Sequence, residues 1–134
     1  MHWADKYVGL TFKPDGRDQS GVDCYGLVCL IYKELHSIDL NPFTGIFIKQ
    51  DPETLLKIAE VMDKDRDNWL QGDKPQEFDM IQLRTGRHAF HVAVMINDRQ
   101  FLHIEHGIDS VIESIDDPLW TYRIDWIYRH PCLI

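Results

Sequence analysis

Cys24 stands in the run Gly21-Val22-Asp23-Cys24-Tyr25-Gly26-Leu27-Val28, a turn that delivers a thiol to the first turn of an apolar helix. The thiolate is the nucleophilic form of cysteine. Unpaired backbone N–H groups and the positive end of the helix macrodipole both favour it at such a position. Asp23 can cap the helix, and Gly21 can make the tight entry into it. Leu27, Val28, Ile31 and Leu35 follow at helical spacing, and Cys24 lies on their face, at the edge of a core or cleft. This setting predicts a thiol pKa below the free value of about 8.5. Cys29 falls mid-helix and Cys132 near the end; both read as buried or incidental, and three cysteines make no disulfide framework.

A thiol nucleophile needs a base, and the base needs a polar partner that fixes its tautomer. His91 and His103 open and close a hairpin that turns at Asn97-Asp98. Side chains alternate along strands, so His91, Ala93 and Met95 share one face, and Phe101 and His103 share a face of the partner strand. A three-residue turn at Ile96–Asp98 sets His91 opposite His103; a shift of two residues leaves them diagonal neighbours on the same face. For a single histidine, a partly buried ring with ordinary hydrogen bonds is the plainer reading. The even spacing, the hairpin and Cys24 together favour catalysis.

A metal centre competes, because His88-x-x-His91 and His103-x-x-His106 offer four imidazoles, which zinc favours. Residues three apart on a strand point to opposite faces, however, and no carboxylate or second cysteine sits at a ligand-like spacing among them. The expectation is therefore no metal and no cofactor, with His88 and His106 as turn or rim residues. Trp3, Trp69, Trp120 and Trp126 read as core and edge packing. Tyr25, beside the thiol, either lines a substrate groove or packs.

These residues require particular elements to hold them. The spacing predicts a loop over 15–21, a helix from about Asp23 to Leu35, and a turn at Pro42–Gly45. A second helix is expected from Pro52, capped by Asp51, with Leu55, Leu56, Ala59 and Met62 as its buried stripe. From Phe78 the pattern changes to short strands at Met80–Leu83, His91–Ile96, Gln100–Ile104, Ser110–Ser114 and Tyr122–Tyr128. Helices first and an antiparallel meander second predict an α+β domain spanning 1–134.

With 134 residues, 44% of them hydrophobic, the chain can bury one core. A net charge of −8 disfavours extended contact with nucleic acid or an anionic membrane. No apolar run approaches the roughly 20 residues of a membrane span. The first residues show no basic-then-apolar pattern, so synthesis in the cytoplasm without a signal peptide is expected.

The same residues resemble the NlpC/P60 family of papain-like cysteine peptidases over nearly the whole chain. Gly9-Leu10-Thr11-Phe12 through Asp23-Cys24 is similar to the family segment running from Gly-x-Pro-Tyr to Asp-Cys-Ser-Gly-Leu-Val. Phe78-Asp79-Met80-Ile81 is similar to its Gly-Asp-Leu-Val strand. His91-Val92-Ala93-Val94-Met95-Ile96 with Phe101-Leu102-His103 is similar to its His-Val-Gly-Ile-Tyr-Ile…Phe-Ile-His hairpin. The resemblance implies a nucleophile helix packed on an antiparallel sheet, with Cys24 as nucleophile, His91 as base and then acid, and His103 as orienter. It implies the Cys24 N–H as an oxyanion donor and Asp23 as a candidate binder of a substrate amine, with capping as the alternative. Phe12 falls where the family has a tyrosine near the active site, and is carried as a substrate-contact position together with Tyr25. Pro14-Asp15-Gly16 replaces a Trp-Gly-Gly stretch, and Tyr25 replaces a serine. The aromatic Tyr25 at that place, with Gly16-Arg17-Asp18 upstream and Tyr32-Lys33-Glu34 downstream, resembles the subset found in phage and prophage tails. The implied function is hydrolysis of amide bonds in peptidoglycan stem peptides by a tail component that acts on the cell wall and contacts other tail-tip proteins. The alternatives are a tail-tip docking protein with little or no catalysis, and a cysteine amidase or acyltransferase of another substrate.

Overall fold

The computed structural model describes residues 2–41, 53, 56, 57, 60, 61, 64, 68–85 and 88–133, without the side chains of 85 and 88–90. Helix α1, Cys24–His36, begins where Asp23 caps it: the carboxylate accepts the Gly26 N–H at 2.7 Å. It ends at Ser37, which adopts the left-handed conformation (φ 55°), while the Ser37 and Ile38 N–H groups return to Lys33 and Tyr32. The helix is therefore one residue displaced from the expected span. The segment expected as a loop is a tight ribbon, β1 (Arg17–Asp18) against β2 (Gly21–Val22). It lies directly on the helix: a Cβ added at Gly26 would run into the Gly16 carbonyl oxygen. That approach is why glycine occupies the third position of α1.

Among the described residues six strands form one antiparallel sheet: β3 (Leu70–Gln71), β4 (Met80–Thr85), β5 (His88–Met95), β6 (Gln100–Glu105), β7 (Ile108–Ser114) and β8 (Ile124–Arg129). Their order is β3-β8-β4-β5-β6-β7. The expected strands are all present, but the meander stops at β7. β8 returns to the far side and pairs with β4, so the connection from β7 must cross the sheet. That connection carries a one-turn helix, Pro118–Thr121, capped by Asp117.

The sheet has two apolar faces. Val92, Val94, Leu102, Ile104 and Tyr128 pack with Leu27, Val28, Ile31 and Tyr32 of α1. Ile81, Leu83, Ala93, Met95 and Phe101 pack beneath Trp120 on the other side. Asp79, 2% exposed, is paired by Arg129 at 2.8 Å, which ties the start of β4 to the end of β8. The N-terminal segment exchanges backbone bonds with Ser110 through Gly9 and Leu10, which covers part of the edge strand β7.

Trp69 and Trp120 are buried and Trp3 and Trp126 half-buried, as packing residues should be. Glu53, Leu56, Lys57, Glu60, Val61 and Lys64 are helical. Leu56, expected in a buried stripe, is instead 48% exposed. The Asp51 cap, Pro52, Leu55, Ala59 and Met62, and the Pro42–Gly45 turn, lie outside the described residues.

Candidate active site

The hairpin β5–β6 turns on Asn97, whose side-chain oxygen accepts the Arg99 and Gln100 N–H groups at 2.8 Å each. Val94 pairs with Leu102 and Met95 with Phe101, which is the register that makes His91 and His103 diagonal neighbours. Their rings meet: His91 Nε2 lies 3.0 Å from His103 Nδ1. Both residues are buried, at 5% and 3% exposure. The same register carried along the strands sets Glu105 across from His91, and its carboxylate lies 3.9 Å from His91 Nε2.

The pairing of β6 with β7 sets His103 opposite Val111 and Phe101 opposite Glu113, so Glu113 is a diagonal neighbour of His103. Its carboxylate accepts from His103 Nε2 at 3.0 Å. Trp120 roofs the group, 4.9 Å from the His103 ring in an edge arrangement and stacked on His91 at 6.3 Å. The Arg123 guanidinium lies 4.5 Å over the Trp120 ring. Burial and the neighbouring His103 and Arg123 push the His91 pKa down to about 3. His103 is also lowered by burial, against the opposing pull of Glu105 and Glu113.

Cys24 is half-buried at the N-terminus of α1 and packs at the edge of the core, as its helical position requires. Its sulfur accepts from the backbone N–H of Val92, one residue on from His91, and from that of Tyr25. The expectation of a depressed thiol pKa is corrected: burial, with the nearby Asp23 carboxylate, pushes Cys24 up to about 12. The Val92 and Tyr25 N–H groups and Arg17 pull the other way but do not overcome the desolvation.

Asp23 is occupied. Besides Gly26 it accepts from Arg17 Nη1 at 2.7 Å and from the Asp15 N–H at 2.8 Å, and its side chain is 4% exposed. It is a cap and an ion-pair partner, turned away from solvent. Tyr25 is buried, with the Arg17 guanidinium 5.8 Å from its ring centroid. Phe12 is half-buried, bridges to Val22 and meets the His106 ring at 5.4 Å. With Thr11, Pro14, His106 and Asp109 it walls a shallow cleft of about 360 Å³. His106 is an exposed turn residue, as expected, whereas His88 belongs to strand β5.

Ligand atoms of His91, His103 and Glu105 lie within 4.8 Å of one another, so these three could hold a divalent cation. The expectation that no carboxylate attends the histidines is thus corrected. Glu105 was legible as the residue two beyond His103 on its strand face. Glu113, Trp120 and Arg123 were not, because the first depends on the β6–β7 register and the others on the crossover.

A helix with a cysteine at its N-terminus packs on an antiparallel sheet that carries a buried histidine pair, in an α+β arrangement. The chain belongs to the NlpC/P60 family, whose profile matches residues 9–129. A curated relative is the Murein DD-endopeptidase MepS/Murein LD-carboxypeptidase of Escherichia coli (strain K12), 25% identical over 122 residues. The match covers 89% of this chain and 56% of that protein, so the chain spans about half the length of the curated relatives it matches. The fold is shared with the NlpC/p60 domain of the peptidoglycan hydrolase SagA, at a TM-score of 0.64 and 19% identity, covering 93% of this chain and 91% of that one. An NlpC/P60 family protein from Bacillus cereus ATCC 10987 superposes with a TM-score of 0.68 at 22% identity, covering 92% and 36%.

Proposed function

We propose that this protein is a cysteine endopeptidase that hydrolyses an amide bond in peptidoglycan stem peptides. The observation that carries the reading is the buried His91–His103 contact at 3.0 Å, placed one residue from the Val92 N–H that meets the Cys24 sulfur. His91 spends Nε2 on His103, so Nδ1 is the nitrogen assigned to the thiol. With Cys24 raised and His91 lowered, the resting pair is neutral thiol and neutral imidazole. Attack and proton transfer then proceed together: the sulfur bonds to the carbonyl carbon as its proton passes to His91. The Cys24 N–H is assigned to the developing oxyanion. His91 returns the proton to the leaving amine, and water resolves the thioester.

Family membership and the curated relative support the peptidoglycan substrate. Asp23 is committed to Arg17 and to the helix cap, so no role in amine recognition is assigned to it. The tail setting is part of the same proposal and rests on the Gly16-Arg17-Asp18, Tyr25 and Tyr32-Lys33-Glu34 resemblance. The test is digestion of defined muropeptides with products read by mass: the wild type cleaves one amide and Cys24→Ala cleaves none. Equal cleavage by Cys24→Ala, or none by the folded wild type, rejects the reading.

A further inference from the structure

We infer that Glu113 is a positioning residue that sets, through two imidazoles in series, which nitrogen of His91 is free to take a proton. The inference rests on the peptidase reading for its consequence, and on geometry alone for its first step. A carboxylate oxygen can only accept, so the 3.0 Å contact with His103 Nε2 requires the proton on that nitrogen. A neutral imidazole carries one N–H, and in His103 the contact with Glu113 places it on Nε2. His103 Nδ1 is then a lone pair, and its 3.0 Å partner, His91 Nε2, must donate. That fixes His91 with a bare Nδ1, the form that can accept a thiol proton. Reverse the first tautomer and the chain reverses: His103 Nδ1 donates, His91 Nε2 accepts, and His91 Nδ1 carries a proton and cannot act as a base.

The surrounding groups do not substitute for Glu113. Glu105, on β6, is 3.9 Å from His91 Nε2, beyond hydrogen-bond reach. Arg123, from the crossover before β8, sits over Trp120 and acts on both histidines only as a charge that disfavours the imidazolium. Trp120 and Phe101 contact the His103 ring through their own rings and leave the choice of tautomer open. Glu113 comes from the edge strand β7, and its side chain keeps 28% exposure, so replacing it opens no cavity in either core.

The experiment compares wild type, Glu113→Gln and Glu113→Leu by ¹⁵N-detected imidazole NMR at neutral pH and by muropeptide turnover. In the wild type His103 is expected as the Nε2–H tautomer and His91 likewise. In Glu113→Leu, His103 becomes a mixture, and kcat falls about 10- to 100-fold, in line with the loss of a residue that orients a functional imidazole. KM and Tm stay close to wild type. Glu113→Gln keeps an accepting oxygen and recovers part of the loss. A wild-type His103 protonated on Nδ1, or a tautomer unchanged in Glu113→Leu, overturns the inference. So does full kcat in Glu113→Leu when the wild type is active. The tautomer measurement needs no turnover: a wild type that cleaves nothing defeats the peptidase reading alone, and the NMR result still decides the role of Glu113.

Discussion

His91 is kept neutral by burial and by the neighbouring His103 and Arg123. Its folded pKa of about 3 lies below the ordinary histidine value, so between the two the unfolded chain binds the extra proton. The contribution to stability is therefore complete above the ordinary histidine range and is lost as pH falls toward 3. Thermal melts from pH 7 to pH 4 should show Tm falling through this window, and His91→Asn should flatten the fall; an equally steep fall in the variant contradicts this source of acid sensitivity. The raised Cys24 has its own signature. Iodoacetamide at neutral pH should label Cys24 more slowly than exposed Cys132, with the Cys24 rate still climbing well into alkaline pH. Rapid neutral labelling of Cys24 would show a preformed thiolate. The sequence anticipated the His91–His103 contact but misjudged the thiol, because a helix N-terminus is visible in a residue pattern while desolvation and a committed Asp23 are not.

At the scale of elements, the site depends on two junctions. The first is the cap: Asp23 holds Gly26, Asp15 and Arg17 together at the point where β2 enters α1. Asp23→Ala removes all three contacts and should lower stability by about 1–2 kcal/mol, the range for a lost N-cap. Asp23→Asn keeps a capping oxygen and should lose less; chemical denaturation gives both values, and an Asn variant as weak as Ala would show that Arg17 dominates. The second junction is the approach of Gly26 to Gly16. Gly26→Ala should cost roughly 1–3 kcal/mol by overpacking, although alanine is the better helix former. A stabilised Gly26→Ala protein would mean that the ribbon yields freely. The helix and all five strands from β4 onward were legible from period and turn residues, to within a few residues at each end. The ribbon at 17–22 was not, because two-residue strands carry no periodicity. The register of the hairpin stayed open between two choices, since both keep the histidines on one face and only the turn geometry at Asn97 separates them.

At the scale of the whole molecule, the return of β8 to β4 gives the histidine pair its roof. A continuing meander would have left β7 flanked by β8 and the His91–His103 face uncovered. The crossover instead brings Trp120 onto both rings, with Arg123 behind it. Strand order is not written in hydrophobic alternation, so this part of the site was out of reach of the sequence. In the tail setting proposed here, a phage carrying Cys24→Ala should assemble normal tails and infect poorly through intact wall; normal infection across hosts would assign the chain a docking role. The central claim is that Cys24 forms the covalent intermediate. Turnover of a defined muropeptide should be quenched in acid and the protein read by intact mass and peptide mapping. The account predicts an acyl adduct on the peptide containing Cys24, absent from Cys24→Ala, which forms no product. Product formed by Cys24→Ala at the wild-type rate, with no adduct on the wild type, would contradict it.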